Sequence, residues 1–126
     1  MSTDPALTVE VTEQAGYSLV VPAGSIDFHT HPALNEHLGR AIDMTSLAVI
    51  VDMTGVEFCD SSGLNVFARA RRRADARGVT VVIVGMPSRV ERVFSLTGLD
   101  QAFYHQPDLR TALHWLETGA SEPSAS

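Results

Sequence analysis

Two stretches govern what this chain can become: Leu47 to Met53 and Val79 to Val84, each an almost unbroken apolar run rich in Val and Ile. A strand with one wet face alternates polar and apolar residues, so a run without alternation reads as a central strand covered on both sides. Between the two runs lies a segment of helical period, from Ser61 or Ser62 to Arg77. It sets Val66, Phe67, Ala70 and Ala74 on one face and Arg69, Arg73 and Arg77 on another. Gly78 closes it. Strand, helix and second buried strand in succession predict a parallel sheet with helical cover.

The flanking segments extend this pattern. Leu7, Val9 and Val11 alternate with Thr8, Glu10 and Thr12, and Gly16 separates that half-buried strand from a second, Tyr17 to Val21. The two pair as a hairpin. Pro22, Gly24 and Ser25 bend the chain, and Pro32 opens a helix with Leu34, Leu38 and Ile42 at four-residue spacing, running to about Asp43. Thr54, Gly55 and Glu57 break the first buried run. Pro87 opens another helix, carrying Val90, Val93 and Phe94 and ended by Gly98. A short strand near Ala102 to Tyr104 and a last helix from Pro107 to Glu117, with Leu109, Leu113 and Leu116 inward, complete the reading. The expected fold is a single α/β domain over residues 7–117. Its sheet is mixed and mostly parallel, with one antiparallel N-terminal strand and about four covering helices. Residues 1–6 are expected to form a flexible arm, and 118–126, which lack apolar content, a disordered tail.

A chain of 126 residues closes one core without disulfide or metal. Its nine basic residues are all Arg and face 15 acidic ones, a net charge of −6. That balance argues against nucleic acid as a partner, because phosphate-backbone binding rests on basic surface. The apolar runs are far shorter than the roughly 18 residues that span hydrocarbon. The start lacks the basic and apolar regions of a secretory signal, and Cys59 has no second cysteine to pair with. The expected location is cytoplasmic, away from membranes.

The chemistry concentrates in Phe58-Cys59-Asp60-Ser61-Ser62-Gly63-Leu64, where a buried strand hands over to a helix. Unpaired amides and the positive end of the helix dipole favour an anion there, so a phosphate on a serine would find donors without melting the helix. Such a phosphate adds about −1.5 to −2 charges at a place where a partner docks. Asp60, Ser61 and Ser62 are all preferred capping residues, and spacing alone does not say which of them caps and which stays free. Gly63 and its small neighbours are expected to leave the free hydroxyl accessible.

Asp60-Ser61-Ser62-Gly63-Leu64, preceded by Val49-Ile50-Val51-Asp52 and followed by Gly85-Met86-Pro87, resembles the STAS domain of bacterial anti-sigma factor antagonists. Arg92-Val93-Phe94-Ser95-Leu96-Thr97-Gly98-Leu99 resembles a helix ending of that family, and Gly24-Ser25-Ile26-Asp27 its Gly-Glu-Leu-Asp turn. The resemblance spans about Leu7 to Leu116. It implies that Ser61, the first serine of the pair, is phosphorylated by a partner that is both anti-sigma factor and serine kinase, with a histidine-kinase-like ATPase fold. The unphosphorylated antagonist captures that partner and frees the sigma factor, and a serine phosphatase resets Ser61. The implied partner surface comprises Gly24, Ser25, Asp27, Thr30, Asp60, Ser61, Ser62, Gly63 and Leu64. Two departures stand out: Ser25 replaces the usual Glu, and Phe28-His29-Thr30-His31-Pro32 differs from the family pattern.

Other chemistries fit less well. His29 and His31, with Cys59 as a soft ligand, have no recognised metal spacing, so they read as polar loop residues and no metal or cofactor is expected. The elbow Gly-x-Ser-x-Gly is absent, and Asp60, adjoining Ser61, is badly placed to orient a distant histidine, so the chain is not expected to be an enzyme. In the basic run Arg69 to Arg77, Arg71 can pair with Asp75, and the other arginines are expected on the solvated side. The alternative to a serine switch is a STAS structural subunit in a transporter-associated or stress-signalling complex. A small-molecule or nucleotide sensor is a third class.

Overall fold

The computed structural model describes residues 6–45 and 47–118. The element order is β1 (Leu7–Gln14), β2 (Tyr17–Ile26), α1 (His31–Met44), β3 (Ala48–Asp52), β4 (Gly55–Cys59), α2 (Ser61–Arg77), β5 (Thr80–Val84), α3 (Ser88–Leu96), a 3-10 turn (Leu99–Ala102), β6 (Tyr104–Gln106) and α4 (Leu109–Glu117). The sheet runs β1-β2-β3-β5-β6, with β4 also paired to β2. Only β1 and β2 are antiparallel among these pairs.

The two apolar runs become β3 and β5, paired in register from Ala48 with Thr80 to Asp52 with Val84. Their side chains divide between two cores. Val49, Val51, Val81 and Ile83 face the larger one, built with Leu34, Leu38 and Ile42 of α1, Val66, Phe67, Ala70 and Ala74 of α2, and Val90 and Phe94 of α3. There Phe67 meets Phe94 and Phe103 edge-on, with centroids 5.2 and 6.2 Å away. Ile50, Val82 and Val84 point to the opposite face, where α4 covers them with Ala112 and half-buried Leu109, Leu113 and Leu116.

Several elements differ from the sequence reading. β2 is longer than expected and runs through Pro22 to Ile26; Pro22 falls between the segment paired with β3 (Tyr17–Val20) and the segment paired with β4 (Ala23–Ile26). β3 ends at Asp52, as the break at Thr54 suggested, but Gly55 and Glu57 belong to a further strand that was not expected. Asp52 Oδ1 accepts from the Thr54 amide at 3.0 Å, the chain kinks, and β4 resumes alongside β2. The 3-10 turn was not expected. The short strand sits at Tyr104–Gln106 and not at 102–104, and α4 begins after Asp108, whose carboxylate accepts from the Thr111 amide at 2.8 Å. Gly78 does close α2, in the left-handed conformation at φ 71°. Of the expected arm and tail, Ala6 accepts a backbone hydrogen bond from Ser25 at 2.9 Å and Thr118 donates one to His114 at 3.1 Å. Residues 1–5 and 119–126 lie outside the described residues.

Candidate functional site

The site lies at one end of the sheet, where β2 and β4 finish side by side and α2 begins. Ser25 is level with Phe58 and Ile26 with Cys59, and the Asp60 amide donates to the Ile26 carbonyl at 3.1 Å. These contacts bring the two motifs, Gly24 to Thr30 and Asp60 to Leu64, together although their centres, Asp27 and Ser62, are 35 residues apart in the chain.

The capping question has a definite answer. Asp60 is the N-cap of α2, in extended conformation, and its Oδ1 accepts from the Ser62 amide at 2.8 Å and the Gly63 amide at 3.3 Å. Asp60 thus satisfies two of the helix's orphan donors. Ser61, the first helical residue, is exposed and its hydroxyl has no hydrogen-bond partner among the described residues; Ser62 is half-buried. Leu64 turns into the core.

Gly63 acts differently from the expectation. It is buried, and a methyl group there would stand 2.6 Å from Cys59 Sγ and 2.6 Å from Ile26 Cγ2. Its bareness lets the first turn of α2 press onto the ends of β2 and β4, and that seating is what leaves Ser61 outside. Cys59 is buried below, where burial first and the Asp60 charge second push its thiol up to about 12. It is a small apolar core residue with no tendency to ionise near neutrality.

The Gly24 to Thr30 turn is tied down by short-range hydrogen bonds. Gly24, at φ 114°, has the Ala6 carbonyl where a Cβ would stand, so no other residue fits against β1 here. Asp27 Oδ1 accepts from the His29 amide at 2.9 Å and the Thr30 amide at 3.0 Å. The Thr30 hydroxyl accepts from the Asp27 amide at 2.8 Å and donates to the Ser25 carbonyl at 2.7 Å. For the Asp27 carboxyl, desolvation raises the pKa but the bonds from Thr30 and His29 prevail, holding it below the usual value. Phe28 projects from this turn, its ring 5.6 Å from that of His29 and 6.1 Å from that of His31. His31 opens α1 and is half-buried, so the two imidazoles belong to an aromatic cluster around Phe28. Among the described residues no group of three His, Cys, Asp or Glu side chains could hold a metal ion.

Of the α2 arginines, Arg71 pairs with Asp75 at 2.8 Å, as spacing suggested. Arg73 and Arg77 are exposed but not merely solvated: Arg73 grips the Asp43 carboxylate through Nε at 2.9 Å and again through Nη2, and Arg77 Nη2 donates to the Asp43 carbonyl at 2.9 Å. They clasp α2 to the end of α1, far along the helix from Ser61.

Residues 8–114 match the STAS domain family model, nearly the whole described chain. The chain is a STAS-domain protein. The anti-sigma-F factor antagonist RsfB of Mycobacterium tuberculosis is 30% identical over 119 residues, covering 94% of this chain and 97% of that one. The anti-sigma-B factor antagonist of Listeria monocytogenes is 31% identical over 94 residues, 74% of this chain and 82% of the relative. A crystal structure of an anti-sigma factor antagonist from Mycobacterium paratuberculosis superposes with a TM-score of 0.74 at 34% identity, covering 93% of this STAS domain's chain and 99% of that one. Among the described residues no helix is long and apolar enough to cross a membrane.

Two residues within the segments singled out in the sequence were given no role there. Phe28 and Phe58 are exposed, and nothing in the local pattern separates them from core aromatics.

Proposed function

We propose that this STAS domain is a non-enzymatic phosphoswitch of the cytoplasm. Unphosphorylated, it binds a kinase-type anti-sigma factor of histidine-kinase-like ATPase fold and thereby frees a sigma factor. Phosphorylation of Ser61 ends the binding, and a serine phosphatase restores it. Nucleic acid and membrane take no part. The observation that carries this reading is the division of labour at the helix start: Asp60 caps, so the Ser61 hydroxyl is exposed and uncommitted.

The Ser61 oxygen attacks the γ-phosphorus of ATP held by the kinase, the bond to the bridging oxygen breaks, and ADP leaves. A base on the kinase takes the hydroxyl proton. The phosphate then sits at the positive end of the α2 dipole, where Asp60 already holds the Ser62 and Gly63 amides, and the Asp60 carboxylate beside it compounds the negative charge. Arg69, eight residues further on, lies about 12 Å away by helical rise. The new charge therefore faces the partner without a counter-ion from this helix, and like charge or lost packing at the interface ends the complex.

Ser61→Ala should keep its grip on the kinase-type anti-sigma factor and gain no phosphate on incubation with it and ATP, as read by intact mass. Ser61→Asp should bind at least tenfold more weakly by calorimetry. A rise of one phosphate in Ser61→Ala would move the switch to another residue.

A further inference from the structure

The chain has five phenylalanines. Phe67, Phe94 and Phe103 meet edge-on in the core, whereas Phe28 and Phe58 are 70% and 51% exposed; Phe58 is level with Ser25 and precedes Ser61 by three residues, and Phe28 follows Ser25 by three. A phenylalanine left in water forgoes the gain from its burial. Two such exposures beside the segments that meet at Ser61 suit a docking patch.

The outward placement of each follows from its own element. β4 carries one extra residue opposite the Gly24 to Ser25 step of β2, a bulge that places Val56 and Cys59 inside and turns both Glu57 and Phe58 out. Alternation from the inward Cys59 turns Phe58 out, and the bulge adds Glu57 beside it. Phe28 stands on the turn tied by Asp27 and Thr30, its ring beside those of His29 and His31. Aromatic side chains have few rotamers to lose on docking and become the energetic centres of interfaces.

We propose that Phe28 and Phe58 are paired apolar anchors that enter an apolar cleft on the kinase-type anti-sigma factor, and that they determine which such factor this chain accepts. The inference rests on the proposed switch and goes beyond it. Ser61 reports phosphorylation state, and the two rings supply the affinity that phosphorylation removes. The serine is common to any chain with the same motif, whereas Phe28 lies in the segment that departs from the family pattern, where discrimination between related partners belongs.

The test uses the full chain and each purified kinase-type anti-sigma factor encoded in the source genome, with ATP. Phe28→Ala and Phe58→Ala should each weaken binding about tenfold or more, with far-UV dichroism and melting temperature unchanged. Phosphorylation of Ser61 should show a raised KM and an unchanged kcat, because the hydroxyl and its helix are intact. Phe28→Tyr should restore most of the affinity. If the double alanine variant binds within twofold of the unaltered chain while that chain binds and is phosphorylated, the anchors are disproved and the switch stands. If the unaltered chain neither binds nor accepts phosphate from any of these factors, the switch fails and the anchors fail with it.

Discussion

Asp60, Ser61 and Gly63 divide one task. The carboxylate holds the first amides of α2, the absent side chain lets that turn sit on Ile26 and Cys59, and the hydroxyl between them is left to the solvent. Gly63→Ala therefore tests the seat rather than the switch. Its methyl must displace Cys59 Sγ and Ile26 Cγ2, and overpacking of this kind costs about 1 to 3 kcal/mol. Urea denaturation should show that loss, and the kinase should modify Ser61 more slowly because the helix start no longer holds it in place. The residue chemistry here was half legible in the sequence. Asp-Ser-Ser-Gly marks a helix start, but three successive capping residues are equivalent by type, and only the backbone entering from β4 decides that Asp60 caps.

At the scale of elements, the long periodic segments were readable because period and burial coincide in them: α2 occupies Ser61–Arg77 as its apolar face and Gly78 dictate. β4 was not readable. Its burial runs inward at Val56, outward at Glu57 and Phe58, and inward again at Cys59, a sequence that matches neither a strand nor a helix until the bulge is known. The 3-10 turn over Leu99–Ala102 is too short to show a period at all. The clasp between α1 and α2 is a long-range pairing of Asp43 with Arg73 and Arg77, outside any i, i+4 rule. The Arg73 hydrogen bond, with the charges of Arg73 and Arg77 behind it and desolvation opposing, holds the Asp43 carboxyl below 3.8. Folding thus favours its ionised form, so its contribution is present above that pH and is lost as pH falls through the lower, folded value. Asp43→Asn should be less stable than the unaltered chain at pH 7, and the gap should close below about pH 4 in thermal melts across pH.

The whole molecule is lopsided. Three helices pack on one face of the sheet and α4 alone on the other, yet β3 and β5 send alternate side chains into both cores. Neither core can come apart without uncovering the other, so unfolding should be a single transition. Trp115, the chain's one tryptophan, reports the thinner side from α4, 4.9 Å from the Tyr104 ring. Its fluorescence midpoint in urea should coincide with that of far-UV dichroism, and an earlier fluorescence transition would show α4 leaving first. The general α/β plan was legible because the two apolar runs force it; the place where two distant turns meet was not, since it depends on β2 extending through Pro22. That extension has a mechanical corollary. β2 passes its parallel edge from β3 to β4 across Val21 and Pro22, a gap with no rung on that side. Across it β1 alone bridges the two halves, its rungs running unbroken from Leu7 opposite Gly24 to Gln14 opposite Tyr17, so the N-terminal hairpin is the seam that joins the tip to the rest of the sheet.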